Sequence, residues 1–215
     1  MEENKKALGH EAEDTEDIVA KAKQNKNVII GIAVAGILLV GAALAWYFID
    51  REGSRKADEA IALADNATND SIALSLYEKA ATMGHAAGNR AKAECGSRLY
   101  AQGKYTEAID YLKDCKLGDK VANAGVSILE GDCYVNLEKY DDALACYRKA
   151  ISKADGNPYI IPFVLVKEAN IYRAQEQYAK EANAYRTIID NYPSFRPSGA
   201  DINALYHRAL AQANN

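Results

Sequence analysis

The chain has 215 residues, 49% of them apolar and 26% charged, with a formal net charge of −4. A mildly acidic balance without clustered Lys and Arg beyond the first quarter of the chain argues against a nucleic-acid partner, whose phosphates demand a basic footprint. Abundant alanine beside only 4 prolines and 3 phenylalanines favours helix, and the charges are interleaved with apolar residues rather than gathered in blocks.

Residues 1–27 form a polar tail in which Glu2, Glu3, Glu11, Glu13, Asp14, Glu16 and Asp17 mix with five lysines and few large apolar side chains. Such a segment cannot bury enough surface to fold alone, so disorder is expected. Residues 28–49 carry no charge. At 1.5 Å of rise per residue, about 22 residues cross a roughly 30 Å hydrocarbon core, which predicts a transmembrane signal-anchor helix. Lys21, Lys23 and Lys26 precede it and Trp46, Tyr47 and Phe48 close it as an interfacial aromatic belt would, which puts the N-terminus inside. Arg51, Arg55 and Lys56 give the far flank a similar basic count. Orientation therefore rests also on the short tail and on the ease with which a large C-terminal domain follows a signal-anchor across. A cleaved signal peptide is the competing reading, since Ala43-Leu44-Ala45 has the small-x-small form. The apolar run exceeds the roughly 7–15 residues of such peptides, and a long acidic-rich stretch precedes it, so retention is favoured. Residues 50–57 are expected to be a linker and 58–215 a helical repeat domain.

Within that domain Ala73, Ala108 and Ala143 recur at intervals of 35, each followed four residues later by Tyr77, Leu112 or Tyr147. Gly96 and Gly131 keep the same interval, and Tyr105, Tyr140 and Tyr178 open similar segments. Apolar spacing predicts pairs of amphipathic helices with a tight turn, as in 121–137 followed by 140–153. Gly131, Ala143 and Ala150 would let helices approach closely while Tyr134, Tyr140 and Tyr147 fill the grooves.

These residues resemble the tetratricopeptide repeat, whose motif is carried best by Gly131, Tyr134, Tyr140, Ala143, Tyr147 and Ala150. The next unit matches it at Tyr172, Tyr178, Tyr185 and Pro193, the preceding one at Gly96, Tyr105, Ala108 and Leu112, and an outlying first unit, about 58–83, at Ala73, Tyr77 and Ala80. Ala169 replaces the usual glycine, Glu181 stands where alanine is normal with Ala182 one place late, and extra residues surround Asp155-Gly156-Asn157-Pro158. The resemblance implies an all-α solenoid of about four helical hairpins, closed by a capping helix over 201–212 that carries Tyr206.

It also implies a concave groove lined by the first helix of each unit: Arg90, Ser97 and Tyr100, then Ile128, Asp132 and Asn136, then Asn170 and Arg173, then His207 and Arg208. Such a surface suits a peptide or extended segment, although each residue taken singly reads as readily as part of a solvated helix face. The family's chaperone-tail clamp wants lysine and asparagine where Ile128 and Asp132 stand, which argues against that ligand.

The whole plan is similar to single-pass repeat proteins of the bacterial inner membrane, of which the best known is an ancillary subunit of the Sec translocon that works beside a membrane-anchored periplasmic chaperone. Gly131–Tyr140 and Tyr185–Pro193 look most like versions from the Bacteroidota. The resemblance implies an inner-membrane protein with a cytoplasmic N-terminus and a periplasmic repeat domain that binds the translocon, a chaperone or secretory clients. A cytosol-facing receptor for targeting sequences and a structural scaffold of an envelope complex stay open as alternatives.

No catalytic, metal or cofactor role is expected. Cys95, Cys115, Cys133 and Cys146 lack ligand spacing and are expected to be buried. In an oxidising compartment one pair could bridge, and the spacing leaves open which. His10, His85 and His207 have no triad or ligand neighbours, Asp141-Asp142 reads as first-turn charge, and no glycine-rich phosphate loop is present.

Overall fold

The computed structural model describes residues 26–197, 199 and 201–214, and among them the chain forms nine helices and no strand. The described residues divide into two compact units, the first ending at Glu52 and the second beginning at Gly53. The polar tail lies outside the described residues except for Lys26 and Asn27, which open the first helix.

Helix α1 (Lys26–Asp65) contains the uncharged run, and residues 30–49 are all exposed. A helix of this length with apolar side chains on every side is long and apolar enough to cross a membrane. Residues 50–57, expected as a linker, are helical. In the second unit Ala57, Ala60, Ile61 and Ala64 of α1 are buried in one cluster with Ala73, Tyr77 and Ala80. The outlying first repeat therefore takes its first helix from the end of α1 and its second from α2 (Asp70–Ala81).

Three more hairpins follow: α3 (His85–Ala101) with α4 (Tyr105–Leu112), α5 (Lys120–Asn136) with α6 (Tyr140–Lys153), and α7 (Ile160–Ala174) with α8 (Tyr178–Asn191). Helix α9 (Ile202–Ala213) packs on α8 as the cap. This is the expected tetratricopeptide-like solenoid, and from α3 on each helix packs chiefly on its neighbours in sequence.

Local chemistry sets the helix ends. Side chains of Asn69, Asp119 and Asp201 cap α2, α5 and α9 by accepting from first-turn amides. Asn157 Oδ1 accepts from the amides of Tyr159 and Ile160, both at 3.0 Å, at the start of α7, where Pro162 needs no partner for a missing N–H. Inside three hairpins the turn is the same Schellman closure. Lys104, Lys139 and Gln177 donate to the carbonyls of Leu99, Tyr134 and Tyr172 at 2.9, 2.9 and 2.8 Å. The preceding residue sits in the left-handed region at φ 74°, 57° and 57° for Gly103, Glu138 and Glu176.

The expected small-residue contacts are present. A Cβ on Gly96 would stand 2.5 Å from Leu112, and one on Gly131 2.5 Å from the ring of Tyr147. Both glycines sit on first helices and receive the large side chain of their own second helix. The recurring alanines Ala73, Ala108, Ala143 and Ala150 are fully or almost fully buried.

Candidate protein-binding groove

The first helices of successive repeats lie side by side, and where α3, α5 and α7 converge over α6 they enclose a pocket of ≈ 280 Å³. Tyr100 comes from α3, Asp132, Val135 and Asn136 from α5, Tyr140 and Tyr147 from α6, and Lys167, Asn170, Ile171 and Ala174 from α7. Helical spacing explains the set: 132 and 136 are one turn apart on α5, and 167, 170 and 174 share one face of α7.

Asp132 is the hub. Its carboxylate accepts the hydroxyl of Tyr147 at 2.6 Å and the ammonium of Lys167 at 2.9 Å to each oxygen. Lys167 also rests over the Phe163 ring at 5.1 Å, and Asn136 donates its amide to the Asp132 carbonyl at 2.8 Å. Burial, then the bond to Asp132 and its charge, push the Tyr147 hydroxyl far above the ordinary phenol range. Tyr100 is raised by burial and by the same carboxylate. Tyr100 and Tyr147 thus stay neutral, and the one carboxylate in the wall is neutralised by the one ammonium. The pocket can offer aromatic faces, two side-chain amides and little net charge, a lining that holds a ligand by shape and hydrogen bonds.

Of the residues expected in the groove, Tyr100, Asp132, Asn136 and Asn170 are brought together here. Ile128 is half-buried against the cluster containing Ala143, Leu144 and Tyr147. Ser97, Arg173 and His207 are exposed outside this pocket, and Arg90 pairs at 3.5 Å with Asp58 of α1. Arg208 is turned inward to Glu181. Lys167 escaped the sequence reading, yet a signal exists for it, because it stands 35 residues after Asp132, one repeat later and opposite in charge. Tyr140 and Tyr147, expected to fill the grooves between helices, line the pocket wall as well.

The thiols are elsewhere. All four cysteines are buried and unpaired, and burial pushes Cys95 and Cys146 to about 12 and Cys133 to about 11. Among the described residues no group of three or more His, Cys, Asp or Glu is placed to hold a metal ion.

A family model for the tetratricopeptide repeat matches residues 125–152, the hairpin that carries Asp132 and Tyr147. No curated protein matches this chain. The match supports the tetratricopeptide reading of the array, a module type associated with protein–protein interaction.

Proposed function

We propose that this tetratricopeptide-type array is a membrane-anchored adaptor, tethered by α1 and binding an extended protein segment in the groove around Asp132. The observation that carries the reading is the pocket itself: three tyrosines and two asparagine amides converge from four helices of three repeats, with the only ion pair in the wall already satisfied. Peptide recognition uses such surfaces, in which apolar anchors supply affinity and amides hold main chain. Binding, rather than catalysis, is the role this lining suits.

In the fuller form of the proposal the N-terminus is cytoplasmic and the repeat domain periplasmic, at a bacterial inner membrane. There it receives secretory chains or their chaperones as an accessory of secretion or envelope assembly. The support is the similarity of plan to single-pass repeat proteins of that membrane and the basic and aromatic flanks of the span. Four unpaired thiols favour the opposite topology, a cytosol-facing receptor, because oxidising compartments promote disulfides. Their burial and raised pKa values remove most of that force, since an inaccessible thiol does not become the attacking thiolate.

Protease treatment of right-side-out spheroplasts expressing the full chain, tagged at both ends, tests the topology. Digestion of the repeat domain with protection of the N-terminal tag is expected. Survival of the repeat domain until the membrane is opened would sink the periplasmic reading and put the cytosolic receptor in its place.

A further inference from the structure

Helical glycines of the repeat domain have an internal reason, with one exception. A Cβ would meet His85 at 2.8 Å from Gly53, the Ala80 carbonyl at 3.3 Å from Gly88, Leu112 at 2.5 Å from Gly96 and Tyr147 at 2.5 Å from Gly131. Gly125 is exposed in α5, and nothing described lies within 4 Å of where its Cβ would be. A glycine inside a helix costs stability through backbone entropy. No contact among the described residues explains that cost.

The position is specific. Seven residues separate Gly125 from Asp132, so at 3.6 residues per turn the two share a face of α5, two turns apart. The Asp132–Lys167 pair aligns α5 and α7 at an offset of 35. That register sets Phe163 level with Ile128, one turn from the ion pair toward Gly125. Phe163 is 47% exposed, and Val121, one turn further along α5, is 46% exposed. Beyond the ion pair, α5 and α7 thus carry exposed apolar side chains at Val121 and Phe163 and, at Gly125, bare helix backbone.

We infer that Gly125 is a seat for the main chain of an extended partner segment, which also places one apolar side chain in the tyrosine pocket and another against Phe163. This rests on the groove reading above and adds a second contact to it. An extended chain fits better than a helix. The Asn136 and Asn170 amides each carry a donor and an acceptor, which a strand's free peptide groups can use and a helix's satisfied ones cannot. From the level of Ile128 and Phe163 to the pocket at Asp132–Asn136 the distance is about 9 Å at 1.5 Å per helical residue, which an extended segment covers in about three residues. The partner's two anchors are thus about three residues apart.

The test pans a displayed library of random twelve-residue peptides against the full chain in detergent. Selected peptides are then titrated against wild type, Gly125→Ala, Phe163→Ala and Tyr100→Ala, with thermal melts of each. Expected are two large apolar residues about three apart in the selected peptides, at least tenfold weaker binding to Gly125→Ala and Phe163→Ala, and a melting temperature for Gly125→Ala no lower than wild type. If Tyr100→Ala weakens binding and Gly125→Ala leaves it unchanged, the seat is wrong and the pocket stands. Peptides that bind as helices by circular dichroism overturn the extended occupant. If none of the three variants alters binding, or no peptide is selected, the groove reading falls together with this one.

Discussion

Arg208 of α9 donates its Nη2 to Oε1 of Glu181 in α8 at 2.6 Å, and the Glu181 side chain is wholly buried. Each residue is anomalous from the sequence: a glutamate where the repeat has alanine, and an arginine expected in the groove. Together they make one contact, in which the cap supplies the cation that a carboxylate out of water requires. The last repeat and its cap are therefore matched by charge as well as by apolar packing.

Replacing Arg208 with Ala strands that carboxylate. A loss of about 2–4 kcal/mol is expected, below the ~3–5 of a fully enclosed pair because Arg208 keeps some solvent contact. Adding Glu181→Ala should recover part of it, with a coupling of about 1–3 kcal/mol in a double-mutant cycle read by urea unfolding. Strictly additive costs would show that the two do not act as a pair.

Gly131→Ala and Gly96→Ala should differ. At 131 the new methyl would meet a Tyr147 ring whose hydroxyl is tied to Asp132 at 2.6 Å, with the Ala143 carbonyl 3.3 Å away. At 96 it would meet Leu112, which no hydrogen bond holds in place. Overpacking should cost about 2–3 kcal/mol at 131 and ~1 kcal/mol less at 96, measured as paired denaturation curves. Equal costs would mean the tyrosine is as free to move as the leucine.

The hairpin turns offer a gain. Glu138 and Glu176 hold φ 57° where the equivalent turn residue is Gly103. Glu138→Gly and Glu176→Gly are each expected to be stabilising by about 0.5 kcal/mol, and Gly103→Ala destabilising by about 1 kcal/mol, because only glycine is unstrained there. Melting temperatures of the three variants check the opposite signs.

Glu168 predicts a pH dependence. Burial raises its pKa, and the charge of Arg148 offsets this only in part. The native state then binds the proton more tightly than the unfolded chain, so this residue's contribution to stability is fully present below the unfolded carboxylate pKa and is lost as pH rises through the native one. Glu168→Gln should therefore raise the melting temperature at pH 7, and the gain should vanish toward pH 4. A gain of the same size at both pH values would refute the titration as its source.

Periodicity by itself determined the elements of this protein: the uncharged run of 28–49, the intervals of 35 in Ala73, Ala108 and Ala143, and the glycine facing a large side chain in two repeats. These patterns are local or repeat in register, and the chemistry behind them acts within one or two neighbouring helices. Tertiary structure alone decided which polar groups meet. Lys167 reaches Asp132 because packing sets the offset of α5 against α7, and Arg208 leaves the groove because Glu181 is buried beneath it. The left-handed turns at Glu138 and Glu176 were equally hidden, since closure of the hairpin imposes them on residues that carry no turn signal. A buried charge is specified by its partner, and the partner is chosen by packing between repeats, which no spacing within a single repeat encodes.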